Sequence, residues 1–194
     1  MNKILRTLLY IILFLAVVIA GVALLEGRKS CSIKVVRRAP KSASKIAFKN
    51  TDAVDIDINN TKLVRYFKDN KVGVADSDGN VITDAVFDSV DNFYGDVAMV
   101  KLNGKYGFMS SDSTYIVAPK YVKANPFNNG FAIVVADNGK YGVVNEAGME
   151  VVKPNYYDYI GAFDYYKHAV ARNKKDNKYV VIDGEGNVVK NLVK

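Results

Sequence analysis

The stretch Asn103-Gly104-Lys105-Tyr106-Gly107 decides how the rest of this chain is interpreted. It lies between two half-apolar runs of sequence. An Asn-Gly pair in that setting predicts a β-hairpin, because a type I′ turn needs a positive φ at both of its central residues. We therefore predict two antiparallel strands joined by Asn103 and Gly104.

The same pattern recurs along the chain, which identifies it as a repeat. The glycine recurs at successive spacings of 34 and 35 residues, and Val180 takes its place 38 residues further on. Each of these positions is preceded by a Lys and one further residue and, before these, by a turn pair such as Asn138-Gly139. The residues that define the repeat are Gly73, Gly107, Gly142, Tyr106, Tyr141 and Tyr179.

The register continues downstream of the glycine. Six residues on, each unit has a polar cluster that predicts a second turn. Fourteen residues on, the first three units have an aromatic residue, and a further aromatic follows six or seven residues later. We expect these aromatic positions to lie in the core. The turn positions are Gly79, Ser113, Gly148 and Gly186, and the aromatic positions are Phe87, Tyr121, Tyr156, Phe93, Phe127 and Phe163.

Each unit is predicted to contain about three strands, which in the second unit span 97–102, 105–110 and 114–118. Pro119 and Pro154 are expected to end the third strand, because proline lacks the amide hydrogen that a sheet ladder needs. An alternating run at 53–58 predicts a half-buried strand that covers the open end of the first unit. The β-repeat domain is predicted to span 47–194, with units at 62–96, 97–131, 132–168 and 169–194.

These units are too small to be stable singly, since an isolated hairpin is marginal in water. Their Tyr, Phe and Val faces are expected to stack on neighbouring units, which contributes about 25 cal/mol for each Å² of apolar surface buried. A closed propeller is the alternative, but it usually requires about four blades of four strands. The sequence therefore predicts an all-β repeat array of stacked three-stranded meander or hairpin units.

The chain resembles the WG repeat family over about residues 62–194. The runs Gly139-Lys140-Tyr141-Gly142 and Val151-Val152-Lys153-Pro154-Asn155-Tyr156 are similar to the family's Gly-Lys-Trp-Gly core and its Ile-x-Pro-x-Tyr segment. One difference is that Tyr or Val occupies the position of the Trp that names the family. The resemblance implies a β-rich module, often in bacterial proteins, that has a binding role of undetermined kind and no catalytic motif.

Residues 7–25, TLLYIILFLAVVIAGVALL, contain no charged side chain. A helix of these 19 residues would extend about 28 Å, close to the thickness of a bilayer core. This length favours one transmembrane α-helix before the repeats, preceded by a short basic tail at 1–6. A cleaved signal peptide is the alternative, although its apolar region is usually only about 7–15 residues long.

Two signals conflict about the orientation of this helix. More Lys and Arg residues follow the helix than precede it, which places the repeat domain in the cytoplasm. A short basic tail before an N-terminal apolar run is instead the usual build of an export anchor with its domain outside. We expect the second arrangement, a single-pass protein of the bacterial envelope with its repeat domain on the outside or periplasmic face.

The positive charge of the chain is concentrated next to the apolar run. The formal net charge is +7, yet residues 51–194 contain 17 Lys or Arg and 19 Asp or Glu. A nearly neutral domain does not favour nucleic-acid binding. Residues 26–46 are interpreted as a basic juxtamembrane linker, which either contacts anionic lipid headgroups or is merely solvated. The predicted headgroup contacts are Arg28, Lys29, Lys34, Arg37 and Arg38.

The sequence gives no sign of catalytic or metal-binding chemistry. His168 is the only histidine, and no nucleophile or orienting partner for it is evident. Residues 76–80 superficially resemble a Ca²⁺ loop, but Val81 and Phe87 stand where an EF-hand needs Gly and Glu. Cys31 is the only cysteine and is predicted to be a free thiol. We therefore predict no cofactor and no enzymatic activity.

Tyrosines exceed the repeat pattern in one place. Tyr157, Tyr159, Tyr165 and Tyr166 are surplus to the pattern. Such side chains combine an apolar ring with a polar hydroxyl, which suits protein interfaces and sugar stacking. Extra core packing is the structural alternative. The sequence predicts a non-catalytic module for protein interaction or scaffolding, with glycan or cell-wall binding through these tyrosines as the alternative function.

Overall fold

The computed structural model describes residues 37–42, 45–56 and 62–192. The chain divides into two units, 1–35 and 36–194, and the fold given below is that of the second unit. Within the described ranges no helix has the length and apolar character that crossing a membrane requires. The predicted transmembrane helix at 7–25, the basic tail at 1–6 and Cys31 lie outside the described residues.

The repeat region folds into four antiparallel sheets of four strands each. In every sheet the strands neighbour one another in the order of the sequence, and a single turn of 3-10 helix, Phe48–Asn50, precedes them. Sheet 1 contains β1 (Ala53–Ile56), β2 (Leu63–Lys68), β3 (Lys71–Asp76) and β4 (Val81–Phe87). Sheet 2 contains β5 (Ser89–Val90), β6 (Val97–Leu102), β7 (Lys105–Ser110) and β8 (Tyr115–Tyr121). Sheet 3 contains β9 (Lys123–Ala124), β10 (Phe131–Val135), β11 (Tyr141–Asn145) and β12 (Glu150–Tyr157). Sheet 4 contains β13 (Tyr159–Ile160), β14 (Ala169–Asn173), β15 (Lys178–Ile182) and β16 (Val188–Leu192).

The all-β fold is confirmed, but the prediction of three strands per unit is wrong, so the strand count no longer disfavours a closed propeller. Sheets 2, 3 and 4 each begin with a further strand of two residues, which the sequence reasoning assigned to the connection between units. A strand of this length cannot show the two-residue alternation by which strands are recognised. In sheet 1 the corresponding strand is β1, which pairs with β2. All four residues of β1 are exposed, so its predicted half-burial is also wrong.

The hairpin predicted around Asn103-Gly104 is present. Leu102 pairs with Lys105 at the end of the β6–β7 ladder. Asn103 has a φ of 50° and Gly104 a φ of 77°, the combination that a type I′ turn requires.

Three clusters of buried apolar side chains lie between successive sheets. Phe87 and Val100 belong to the cluster between sheets 1 and 2. Phe108 and Val134 belong to that between sheets 2 and 3. The third cluster joins sheets 3 and 4 and includes Ile182. Stacking of sheets therefore supplies the core that no single sheet could supply.

The outer strand of sheet 2, β8, passes very close to Gly107. A Cβ added at Gly107 would stand 2.5 Å from the Val117 carbonyl oxygen and 2.6 Å from the Pro119 nitrogen. β8 bulges at this point, because Tyr106 pairs with Tyr121 whereas Phe108 pairs with Val117. The glycine is therefore required by space and not by the conformation of its own backbone.

The two prolines do not end the third strand of their sheets, which corrects the prediction. Pro119 lies inside β8 and Pro154 inside β12. Each lies in the irregular part of an edge strand, between two separated pairs of the ladder. An unpaired bulge on an edge strand needs no amide hydrogen, so proline is compatible with it.

Sheet 4 explains why Val180 can stand in the place of the glycine. Its last two strands pair residue by residue from Tyr179 with Leu192 to Val181 with Lys190. No bulge crosses Val180, so its side chain has room there. Valine can therefore replace glycine at position 180 because the neighbouring strand pairs with it without a bulge.

The aromatic position of the third unit is displaced by one residue from the predicted register. Tyr141 pairs with Tyr157, as Tyr106 pairs with Tyr121. Tyr157 is 9% exposed whereas Tyr156 is 48% exposed. The assignment of Tyr156 to the core is therefore wrong, because the bulge of β12 contains one residue more than that of β8.

Part of the predicted linker is bound to the domain. Ala39 is buried in the first cluster, and its N–H donates to the Ser113 carbonyl at 2.8 Å. The Asp84 N–H donates to the Pro40 carbonyl at 2.8 Å, and the Ser42 N–H donates to the Asp84 carboxylate at 2.6 Å. For residues 37–42 and 45–46 the linker prediction is wrong, because their backbone is bonded to sheets 1 and 2.

Ile46 contacts sheet 1 in the way that the outer strand of one sheet contacts the next sheet. In sheets 3 and 4 the glycine of the second turn lies close to a backbone carbonyl of the preceding sheet. Gly148 lies close to the Ile116 carbonyl, and Gly186 lies close to the Val151 carbonyl. The Ile46 carbonyl lies against Gly79 of sheet 1 in the same way. The Ile46 N–H also donates to the Gly79 carbonyl at 2.8 Å. The open side of the first sheet is therefore covered in part by this segment.

We expect Gly104→Val to destabilise the domain by about 1 kcal/mol or more, because a positive φ is costly for a β-branched residue. Ser113 has a φ of 72°, so Ser113→Gly relieves a strained backbone and should cost little. The midpoints of chemical unfolding of the two variants measure the difference. Equal and large losses would contradict the assignment of both turns.

Candidate functional site

Three connecting loops lie at one end of the sheets, which we call the loop end. They span 91–96, 125–130 and 161–168, between the short first strand and the second strand of sheets 2, 3 and 4. The first loop meets a second turn where the Ser111 N–H donates to the Asp96 carbonyl at 3.0 Å. The last two loops meet where the Asn129 side-chain amide donates to the Phe163 carbonyl at 2.9 Å.

Pocket A lies between sheets 2 and 3 at the loop end and has a volume of about 40 Å³. Met99, Phe108 and Phe127 give it apolar walls, and the rings of the two phenylalanines lie 4.6 Å apart. Two carboxylates, those of Asp91 and Glu146, also line the pocket. Pocket A is therefore small and mostly apolar, with two acidic residues in its lining.

Pocket B occupies the corresponding place between sheets 3 and 4 and is larger, at about 290 Å³. Two of its three phenylalanines, Phe131 and Phe163, stack with their ring centroids 4.3 Å apart. Pro126 and Phe127 line both pockets. The repeat has therefore produced two neighbouring pockets from residues of equivalent register.

Tyr165 and Tyr166 form an exposed aromatic pair on the third loop. They are 84% and 77% exposed, with ring centroids 5.6 Å apart and ring planes at 83°. The Asp164 N–H donates to the His168 carbonyl at 2.9 Å, and the His168 N–H donates to the Asp164 carboxylate at 2.8 Å. These bonds close a tight turn that presents both rings to solvent.

The other two candidate tyrosines lie elsewhere. Tyr159 is exposed on β13, and its ring centroid lies 6.0 Å from that of Tyr141. Tyr157 belongs to the core between sheets 3 and 4. Tyr157 is therefore no part of an exposed binding surface, because its ring fills the aromatic position of the repeat.

Two of the five predicted headgroup residues fall within the described part of the chain. Arg37 and Arg38 are exposed, and the Arg37 carbonyl accepts the Tyr115 N–H at 2.8 Å. Their backbone therefore belongs to the domain, while their contact with lipid stays a prediction. Arg28, Lys29 and Lys34 lie outside the described residues.

Several acidic side chains lie at the loop end. Burial raises the pKa of Asp91, and the nearby positive charge of Arg65 opposes this rise without cancelling it. A hydrogen bond from the Ser110 hydroxyl, followed by one from the Thr114 N–H, holds the pKa of Asp112 below its usual range. The remaining acidic residues of this end include Asp96, Glu146 and Asp164.

The Asp residues of the segments that superficially resemble a Ca²⁺ loop form hydrogen bonds within the turns that contain them. The Asp76 carboxylate accepts the Asn80 N–H at 2.8 Å, and Asp183 accepts the Asn187 N–H at 2.9 Å. Hydrogen bonds from these asparagines hold the pKa of both carboxyl groups below the usual range. Throughout the described ranges, no three or more His, Cys, Asp or Glu residues are grouped so that they could hold a metal ion.

At the opposite end, two aspartates fasten consecutive sheets together. Asp88 pairs with Lys71 of sheet 1 at 2.5 Å and accepts the Gly104 N–H of sheet 2 at 2.7 Å. Asp158 pairs with Lys140 at 2.8 Å and accepts the Lys174 N–H of sheet 4 at 2.8 Å. The lysine hydrogen bond, and after it the backbone N–H, lowers the pKa of each carboxyl group.

We expect the free energy of unfolding to fall as the pH drops below about 4, the usual pKa of Asp. Asp88 and Asp158 have lower pKa values in the folded chain, so the unfolded chain binds more protons. Their stabilising contribution is therefore present above the unfolded pKa and is lost as the pH falls through the folded pKa. Urea unfolding across this range measures the slope, which the double variant Asp88→Asn/Asp158→Asn should reduce. An unchanged slope in that variant would contradict the assignment.

Sequence reasoning missed the pocket residues of the loop end. The recurrence of Phe93, Phe127 and Phe163 marked the loops, but it did not show which side chains of two different units come together. Glu146 reaches pocket A from a second turn, whereas Asp91 reaches it from a loop of the preceding sheet. Only the stacking of the sheets brings these residues into one site.

Comparison with known proteins places these features in a family. A family profile described as "WG containing repeat" matches residues 73–106, 106–141 and 141–179. No curated protein matches the chain.

Two solved structures give low overall similarity. The crystal structure of the computationally designed Ika8 protein has 12% identity and a TM-score of 0.38, and the match covers 73% of this chain and 48% of that chain. The crystal structure of HIRA(644-1017) has 10% identity and a TM-score of 0.36, with 84% of this chain and 58% of that chain covered. The chain thus spans roughly half the length of each. The three consecutive profile matches take in more than half of the sequence, and the chain belongs to the WG repeat family.

Proposed function

We propose that this chain is a non-catalytic binding module whose loop end holds a protein partner. The exposed pair of Tyr165 and Tyr166 carries the proposal. Tyrosine offers a large amphipathic contact area with few rotatable bonds, so ordering it in a complex costs little. Tyrosines are accordingly enriched among the residues that dominate binding energy.

The geometry of the pair favours a protein over a glycan. A sugar ring stacks on the flat face of an aromatic ring, and a run of sugars needs several faces side by side. The rings of Tyr165 and Tyr166 are instead nearly perpendicular, so they present one face and one edge. A protein surface, which mixes apolar and polar groups, suits this arrangement.

The apolar run at 7–25 supports a further part of the proposal, a single membrane anchor with the module on the outside or periplasmic face. Its length and lack of charge fit one bilayer crossing. Cys31 follows the run closely. We expect a membrane-impermeant maleimide to label Cys31 in intact cells. Labelling only after lysis would place the domain in the cytoplasm and contradict this orientation.

We expect the double variant Tyr165→Ser/Tyr166→Ser to lose partner crosslinks by about tenfold or more, the effect typical of residues that dominate an interface. Crosslinking mass spectrometry on intact cells measures the loss. The thermal unfolding midpoint should not change, because both rings are exposed.

Tyr156→Ser is the matched control, since its hydroxyl contacts Asp176 in a turn at the opposite end of the domain. It should keep the crosslinks. Binding of both variants to isolated cell-wall polysaccharide is measured in parallel. A loss confined to the polysaccharide would establish a glycan ligand in place of a protein, and undiminished crosslinks in the double variant would contradict the site.

A further inference from the structure

The two pockets of the loop end share part of their lining. Pro126 and Phe127 line both pockets, and we call the two pockets together the groove. Ala162 and Phe163 of pocket B lie on the loop that carries Tyr165 and Tyr166. The groove is therefore adjacent along the chain to the tyrosine pair of the proposed function.

The usual separation of packed sheets indicates what can fill both pockets. Each pocket lies between two successive sheets, and sheets that pack face to face are usually about 10 Å apart. Three residues of polyproline II rise about 9 Å and return to the same face of the helix. A β-strand instead places same-face side chains about 6.6 Å or 13 Å apart. The usual separation of sheets therefore matches the repeat of a polyproline II segment better than that of a β-strand.

The lining of the pockets specifies the side chains of the ligand. Both pockets have aromatic walls, which is how proline-rich segments are generally held. Pocket A admits a small apolar group and pocket B a larger one, given their volumes of about 40 and 290 Å³. Asp91 and Glu146 line pocket A, and Glu146, which is exposed, complements a basic residue of the ligand.

We propose that the loop end binds an extended protein segment in the polyproline II conformation. A small apolar residue, such as proline, occupies pocket A. A larger apolar residue three positions away occupies pocket B, and a Lys or Arg lies beside Asp91 and Glu146. This inference rests on the proposed function and names the class of partner.

Fluorescence anisotropy of the full-length chain with labelled proline-rich peptides tests the proposal. The probe carries an arginine, a proline and a leucine, with the leucine three positions from the proline, and is used in both chain directions. Peptides of the same composition with a separation of two or four positions are the controls. We expect the three-position peptide to bind about tenfold more tightly than either control, and equal affinities would overturn the proposal.

Two variants test the two ends of the groove. Ala162 is exposed and lines pocket B, so Ala162→Trp should fill this pocket and weaken binding about tenfold without loss of core packing. Glu146→Lys should weaken binding of the arginine peptide at least threefold and leave a peptide without arginine unaffected. Ala53→Trp, at an exposed position of β1, is the matched control and should change nothing.

The outcomes separate this inference from the proposed function. If Ala162→Trp has no effect while Tyr165→Ser/Tyr166→Ser still abolishes partner crosslinks, the groove is wrong and the protein-binding site stands. If neither change affects partner or peptide, both proposals are wrong.

Discussion

Gly107→Ala is expected to destabilise the domain by about 3 kcal/mol, at the upper end of what overpacking usually costs. The new methyl group would lie 2.5 Å from a backbone oxygen and 2.6 Å from the Pro119 nitrogen. A flexible side chain could move away from such a contact, but the backbone of β8 is held by its ladder and by the core beneath it. Either the bulge or the β7–β8 pairing must therefore be distorted. Denaturant unfolding measures the resulting loss in the free energy of unfolding.

Gly104→Ala is the control for this effect. Among the described residues, apart from Gly104 and its two neighbours in the chain, no heavy atom lies within 4 Å of a Cβ added at Gly104. The positive φ is therefore what opposes the substitution, at about 1–2 kcal/mol. Gly142→Ala should behave like Gly107→Ala, because the Val152 carbonyl lies 2.8 Å from the added Cβ. If Gly107→Ala lowers the free energy of unfolding no more than Gly104→Ala does, the bulge does not require a glycine beneath it.

Tyr157→Ala should destabilise the domain by about 3 kcal/mol or more, as removal of a buried aromatic ring from a core usually does. Its ring lies among Val143, Ile160 and Phe163 between sheets 3 and 4. Tyr156→Ala should cost much less, because this side chain is 48% exposed and loses only an exposed hydrogen bond to Asp176 and an edge contact with the Tyr157 ring. Thermal or urea unfolding of both variants gives the comparison.

The comparison tests the corrected register directly, since the two residues are neighbours of the same type. Tyr157→Phe serves as a further control, because it keeps the ring and should retain most of the stability. A larger loss for Tyr156→Ala than for Tyr157→Ala would restore the register predicted from the sequence and contradict the pairing of Tyr141 with Tyr157.

The parts of the fold that the sequence predicts are those controlled by local chemistry. Asn103-Gly104 predicts its hairpin because the turn needs two positive φ values, and the structure has them. The repeat of the Gly107 position predicts stacked β units because identical units must bury identical faces. The family follows from the same residues.

The parts that the sequence does not predict depend on contacts between distant residues. Strands of two residues, such as Ser89–Val90, show no periodicity and exist only because a longer strand pairs with them. The extra bulge residue of β12 shifts Tyr157 into the core, and equal offsets along the sequence cannot reveal it. Ala39 and Pro40 join the domain through backbone hydrogen bonds, which leave no mark on side-chain pattern.

The candidate site shows the same division. The surplus tyrosines are visible in the sequence as departures from the repeat, and Tyr165 and Tyr166 are indeed the most exposed of them. The pockets beside them are not visible, because each pocket takes its residues from two units. A repeat therefore indicates where the loops gather but not which side chains meet there.

Site-specific photo-crosslinking in intact cells tests the central claim most directly. A benzophenone amino acid replaces Tyr165 in one variant and Tyr156 in a second, and both keep the fold because both positions are exposed. The account predicts a discrete protein adduct from position 165 and none from position 156. Adducts of equal intensity from both positions, or none from position 165, would contradict a partner-binding surface at the loop end.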